Sequence, residues 1–261
     1  MSLARRVIVV VSFLTSWALV LRPAPAVAQG PVLPLSPEDQ QELNARLGAG
    51  VVGQAVPSNP ITDVSLYFPL QDRTMTYQVT SGKNAGNIQT LGIGTGKRPD
   101  GNKAWKMGLS PSLTGFLRQT AGGDLLMPAV SDTGEGVVVV TTPPNPFLIN
   151  GMQPGDSRTV QQSVAVNYLD DPTSRDYSGN MNTTYTYVGT YQVTVPAGTY
   201  SAILVRLKCK GRVGPADTTD VAYYLLAPQV GVVAMVTQED VEAFWIIHID
   251  TRSGKVLTSA S

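Results

Sequence analysis

From residue 183 to residue 210 the chain alternates with a period of two, and this stretch constrains the fold more than any other. Thr183, Tyr185, Tyr187, Gly189, Tyr191, Val193 and Val195 occupy one set of positions, and Asn182, Thr184, Thr186, Thr190, Gln192 and Thr194 the other. Successive side chains on a strand point to opposite faces, so one face is aromatic and apolar and the other is largely threonine. Threonine is β-branched and still hydrogen-bonds water, which suits a solvated strand face. Pro196-Ala197-Gly198 follows. Proline presets φ for a turn and glycine accepts positive φ, so the chain reverses there. Beyond it Ile203, Val205, Leu207 and Cys209 share one face, and Leu204, Arg206, Lys208 and Lys210 the other. The stretch predicts a half-buried antiparallel ribbon.

The same grammar fills most of the chain. TMTYQVT, at residues 74–80, sets Met75, Tyr77 and Val79 on one face. Further short strand-like runs follow, split by turn signals such as Pro99-Asp100-Gly101 and Ala121-Gly122-Gly123. The run from Val137 to Val140 is apolar on both faces and belongs centrally, and residues 141–157, rich in proline, read as a loop. Pro228-Gln229 turns a second long hairpin, and the strand AFWIIHID ends the sheet. After residue 60 no helical periodicity occurs, so residues 61–261 are expected to form a single all-β domain. Its architecture is a curved antiparallel sheet, a half-barrel or an open barrel. Residues 29–60 read as an arm with one short helix. Ser36 is its N-cap, Pro37 its first residue, Gly48 its stop, and Leu43 and Leu47 its narrow apolar stripe; a loop follows.

Residues 1–28 have the form of a signal peptide. Arg5 and Arg6 precede an apolar run from Val7 to Leu21, and Ala26-Val27-Ala28 supplies small residues for cleavage before Gln29. The paired arginines leave general or twin-arginine export open. The expected location is the periplasm or the exterior, with no transmembrane anchor after cleavage. Without Arg5, Arg6 and Arg22 the chain carries 16 basic against 19 acidic side chains. This mild acidity offers no footprint for nucleic acid. The single cysteine, Cys209, excludes an intrachain disulfide, and a domain of this size buries enough core without one.

Chemistry-bearing motifs are sparse. His248, the only histidine, shares a strand face with Phe244, Ile246 and Asp250, which is the pattern of a strand-end histidine at the edge of a core. Cys209 alternates with apolar residues and reads as a small buried hydrophobe. LGIGTGKRPDGNK fails the phosphate-loop pattern at Leu91 and Arg98 and the dinucleotide pattern at Lys97, so it reads as a hairpin loop. Neither DDPTSRD nor QEDVE has the spacing of a calcium loop. The reading is therefore of a protein that is not an enzyme, with no metal site and no cofactor.

Three stretches carry a family resemblance: LYFPLQDRTMTYQV at residues 66–79, YVGTYQVTVPAGTYSAILVRLK at 187–208 and YYLLAPQVGVVAM at 223–235. They resemble a group of bacterial envelope proteins related to the lipoprotein-carrier half-barrels of LolA and LolB type. Tyr67 to Leu70, Val195 to Tyr200, and Ala227, Pro228, Val230 and Gly231 match its strand and turn motifs, while Asp72 to Met75 depart where glycine and tryptophan often stand. The resemblance implies a strongly curved sheet with an apolar concave face and carries over no catalytic residue. Two functions follow as expectations. One is an envelope binding module for an apolar ligand, such as an acyl chain or a lipidated partner. Its site would be a groove beside the helix lined by Tyr185, Tyr187, Tyr191, Val193, Ile203 and Val205. The alternative is a structural or assembly partner in an envelope complex, without a small-molecule ligand.

Overall fold

The computed structural model describes residues 30–243 and 247–261. The leader read over residues 1–28 lies outside them, as do the side chains of Phe244, Ile246 and His248. Helix α1 runs from Pro37 to Leu47, strand β1 from Val52 to Val56, and the four-residue helix α2 from Val64 to Tyr67. Twelve strands then follow: β2 (Arg73–Ser81), β3 (Ile88–Lys97), β4 (Lys103–Gly108), β5 (Leu113–Gln119), β6 (Leu125–Asp132), β7 (Val137–Leu148), β8 (Ser157–Tyr168), β9 (Arg175–Val195), β10 (Gly198–Val213), β11 (Ala216–Ala227), β12 (Gly231–Ala243) and β13 (Ile247–Ala260).

Each of these twelve pairs antiparallel with the next, and β13 returns to pair with β2. The expected antiparallel sheet therefore goes all the way round. It is an up-and-down barrel that leaves no long unpaired edge, and an even strand count permits antiparallel closure. Its two faces follow the period of two. Val205, Tyr224, Met235 and Lys255 stand side by side on β10–β13 and point inward. Gln161, Asn182, Lys210 and Thr219 follow one another across β8–β11 on the outside and are exposed. This part of the outer wall meets water, unlike the apolar belt of a membrane barrel.

Where β10–β13 are apolar on both faces, the arm covers the outside. Leu204, Leu225, Ala234 and Val256 form a register row alternate to the inward one and are buried. Helix α1 packs on β12, β13 and β2, with Leu43 and Leu47 buried. Full burial of such side chains gives roughly 1.5–3 kcal/mol each. Its caps are those read from sequence: Ser36 Oγ accepts from the Asp39 N–H, and Gly48 stands at the C-cap with φ 103°. Gly254 permits the close approach, since a Cβ there would lie 2.2 Å from the Arg46 carbonyl oxygen.

Several local expectations are corrected. The segment read as loop after the helix contains β1, which adds to the edge of β9 beyond the reach of β8. Tyr67 and the residues up to Leu70 do not open a strand; Tyr67 ends α2, and the strand begins at Arg73. The glycine-rich stretch is strand through Lys97, and its turn is confined to residues 98–102. The proline-rich stretch is strand as far as Leu148. Pairing of β7 with β8 stops at Thr142↔Ser163, so Pro143, Pro144 and Pro146 sit where that ladder needs no N–H.

Candidate functional site

One end of the barrel is plugged by the chain itself. Between β1 and β2, residues 57–72 cross it and hydrogen-bond to the turns around it. Ile61 exchanges bonds with Gly151 and Met152, and the Gln229 N–H donates to the Leu66 carbonyl at 2.7 Å. Phe68 enters the barrel and meets Phe147 edge to face at 5.2 Å, and Phe147 meets Tyr224 in the same way at 5.2 Å. The Arg73 guanidinium lies 5.6 Å from the Phe68 ring centroid, and its Nη1 donates to the Val230 carbonyl at 2.6 Å. This aromatic stack closes the interior from that side.

The six residues named from sequence belong to this closed region and not to a groove. Tyr185, Tyr187, Tyr191, Val193, Ile203 and Val205 are all at most 1% exposed. They do not share one face either. Pairing of β9 with β10 shifts register between Leu204 and Val205, opposite Gly189 at φ 154°. This bulge turns Tyr191 and Val193 to the outer layer, while Tyr185 and Tyr187 face inward with Ile203 and Val205. The arm takes up two of the hydroxyls: Tyr187 Oη donates to the Asn59 carbonyl at 3.0 Å and Tyr191 Oη to the Leu33 carbonyl at 2.9 Å. The predicted tyrosine-lined groove beside the helix is thus filled by residues 33–59, because the arm covers more than its two leucines suggested.

Toward the opposite end the barrel keeps an internal cavity of about 430 Å³. Its apolar wall includes Leu113, Met127, Phe147, Leu207, Tyr224 and Met235. Its polar wall includes Gln89, Asn145, Cys209, Asp220, Glu239 and Lys255. Exposed Lys83, Asn84 and Thr251 stand at its border, so it communicates with solvent there. None of the six sequence-named residues lines it.

Burial, partial at Glu239, shifts four ionisable groups in this wall toward neutrality: Asp220, Glu239, Lys255 and Cys209. Burial, then the charge of Glu239, pushes the Asp220 carboxyl up to about 7, while a hydrogen bond from Thr218 works the other way. Burial pulls the Lys255 ammonium down to about 8. Its Nζ donates to the Leu109 carbonyl at 2.5 Å. Burial also raises the Cys209 thiol, and the Thr183 hydroxyl lies 3.3 Å from its sulfur. That thiol is held protonated, which is not the setting of a nucleophile. Thr183 is in turn 2.6 Å from Gln162 Oε1, and Gln162 Nε2 donates to the Pro143 carbonyl. This chain of bonds backs the Cys209 side of the wall.

The arrangement defines a closed, plugged antiparallel β-barrel with a mostly apolar internal chamber. No family model matches the chain, and no curated protein matches it. Among solved structures it is similar to a protein from Bacteroides fragilis described as exported and of YmcC-like fold, at 14% identity over 75% of this chain and 99% of that one, with a TM-score of 0.40. It is also similar to a protein from Parabacteroides distasonis described as a lipoprotein, at 14% identity over 75% and 98% of the two chains and a TM-score of 0.38. A third is the hypothetical lipoprotein YmcC from Escherichia coli, at 10% identity over 77% and 90% and a TM-score of 0.36. A carrier of LolA or LolB type is not among these three. The fold of this chain rests on its own strand pairing.

Proposed function

We propose that the protein is an exported, non-catalytic binding module of the cell envelope that holds one apolar ligand, such as an acyl chain, inside the barrel. The observation that carries this reading is the cavity. Barrel interiors of this size are either filled by side chains or kept for a ligand. Here one end is filled and the other is not. The volume of about 430 Å³ falls within the roughly 300–1,000 Å³ of small-molecule pockets, and its few polar groups among apolar walls are of the kind that orient a bound molecule. The leader-like residues 1–28 support export. The test is titration with Nile red, a neutral apolar dye, followed by fluorescence. Saturable binding that is lost on Ala222→Phe, which fills the chamber from its wall, supports the reading. Absence of saturable binding by the folded wild type favours a scaffold within an envelope complex.

A further inference from the structure

We infer that the ligand is a single-chain amphiphile with an anionic head, and that Lys255 is the contact for that head; this rests on the cavity being a ligand site. Lys255 is 6% exposed and lines the chamber. An ammonium has three N–H donors. Among the described residues its one hydrogen bond is the bond to the Leu109 carbonyl, and no carboxylate pairs with it.

The fold itself gains little from a cation at this position. Lys255 stands in register between Met235 and Val79, where an aliphatic side chain would pack equally well. A buried charge without a counter-ion is disfavoured unless something enters to pair with it. Lys255 therefore lacks a full set of partners until an anionic head arrives. Gln89, 9% exposed in the same chamber, has no hydrogen-bond partner for its Oε1 among the described residues; that oxygen only accepts, so it marks room for a polar group but is no partner for a carboxylate. The neighbouring apolar wall, Met127, Phe147, Leu207, Tyr224 and Met235, offers aliphatic and aromatic surface to a tail.

A cationic head is the competing possibility, because Asp220 and Glu239 also border the chamber. They are less in need of a partner. Asp220 accepts from Thr218 Oγ1 at 3.2 Å, and Glu239 is exposed. Asp220 stands opposite Cys209 and Glu239, and Glu239 opposite Thr251 rather than Lys255: along β13, Thr251 and Lys255 are four residues apart, about 13 Å of strand. Glu239 thus reaches solvent and Asp220 has a hydroxyl donor in Thr218, whereas among the described residues the Lys255 ammonium has only a carbonyl.

The test uses lauric acid, dodecanol and dodecylamine, which share one tail and differ in the head. Each is titrated calorimetrically into the purified protein at pH 7, below its aggregation concentration. A charge-assisted bond to the head predicts that laurate binds at least about tenfold tighter than dodecanol. Lys255→Met removes that advantage and leaves dodecanol within about twofold, and Lys255→Arg retains it. Equal affinity for laurate and dodecanol, tightest binding of dodecylamine, or a Lys255→Met protein that still prefers laurate overturns the inference. If none of the three binds while Nile red does, the head-group assignment fails alone. If Nile red fails as well, it is the cavity reading that falls.

Discussion

Asp39 on the arm and Arg206 on the barrel wall are joined across 167 residues, with Arg206 Nη1 donating to both carboxylate oxygens at 2.6 and 2.7 Å. Tyr223 Oη donates to the same carboxylate at 2.9 Å. Asp39 is 2% exposed, so this is a buried anchor and not a surface pair. Replacing it with asparagine removes the counter-charge of Arg206 and turns one of the two acceptor oxygens into a donor that faces the guanidinium. Breaking a buried pair from one side costs about 3–5 kcal/mol, and the partial exposure of Arg206 places Asp39→Asn at or below the lower end. Urea unfolding is expected to show that loss, and protease protection of α1 to fall with it.

The same carboxylate sets an acid limit. Burial alone would raise its pKa, but hydrogen bonds from Ser36, Arg206 and Tyr223, with the Arg206 charge, hold it below the ordinary value. A depressed folded pKa contributes stability that is present above the unfolded value, near 3.9, and is lost as pH falls through the folded one. Wild-type stability is therefore expected to decline below about pH 4. In Asp39→Asn that part of the decline should be missing from denaturation curves taken between pH 5 and pH 2.

Asp220 predicts a slope of the opposite sign. Its folded pKa, about 7, lies above the unfolded value, so the folded state holds a proton that the unfolded state has released. Stability from this group falls as pH rises from about 4 to about 7 and is flat beyond. Asp220→Asn should flatten that window and raise the melting temperature above pH 7. A variant that melts at or below the wild-type temperature at pH 8 would contradict the assignment of Asp220 to the low-dielectric wall.

Much of this fold was legible in local pattern. The caps of α1 follow from Ser36, Pro37 and Gly48, and the hairpins at Pro196 and Pro228 from turn chemistry next to a period of two. What escaped reading depends on non-local facts. The bulge at Gly189 moves Tyr191 to the opposite face, and a continuous period of two cannot show where it slips. β1 is five residues with no alternation of its own, and it is strand because β9 outruns β8. The site was missed for the same reason. Leu207 and Cys209 were read on the correct face, but Phe147, Tyr224, Met235 and Lys255 come from other strands that closure brings together. Alternation says which residues share a face, not which faces enclose a space.

Gly254 tests the contact between arm and barrel. A Cβ there would meet the Arg46 carbonyl oxygen at 2.2 Å and its carbon at 2.7 Å. Those are backbone atoms at the end of α1, and Thr80 Oγ1 donates to the same oxygen at 2.6 Å. The helix must shift as a body to relieve the clash. Gly254→Ala is expected to destabilise by about 1–3 kcal/mol, the range of overpacked interiors. Gly50→Ala is a useful contrast, since it has positive φ but nothing within 4 Å, so its cost is backbone strain without displacement of the helix. Hydrogen exchange in α1 separates the two, rising in Gly254→Ala and not in Gly50→Ala.

Lys255 gives a prediction about stability that is independent of any ligand. Its folded pKa, about 8, lies below the unfolded value of about 10.4, so the unfolded state binds the additional proton between those values. Stability therefore rises as pH increases from about 8 to about 10, because the ammonium that was costly to bury becomes a neutral amine. Below pH 8 the full cost of the buried charge is present. Lys255→Met removes the charge, keeps an unbranched side chain of similar length, and gives up one hydrogen bond to the Leu109 carbonyl. Loss of that bond is worth about 1.5–3 kcal/mol against the variant, so a net gain at pH 7 requires that desolvation outweigh it. Burial lowers the ammonium pKa from 10.5 to about 8, a cost of about 3 kcal/mol to the charged form, which lies at the top of that range. The expected result is a higher melting temperature for Lys255→Met at pH 7 and a gap that closes as the wild type is brought to pH 10. A lower melting temperature at pH 7 would mean that the bond to Leu109 holds the β4–β5 turn in place and that Lys255 belongs to the fold first.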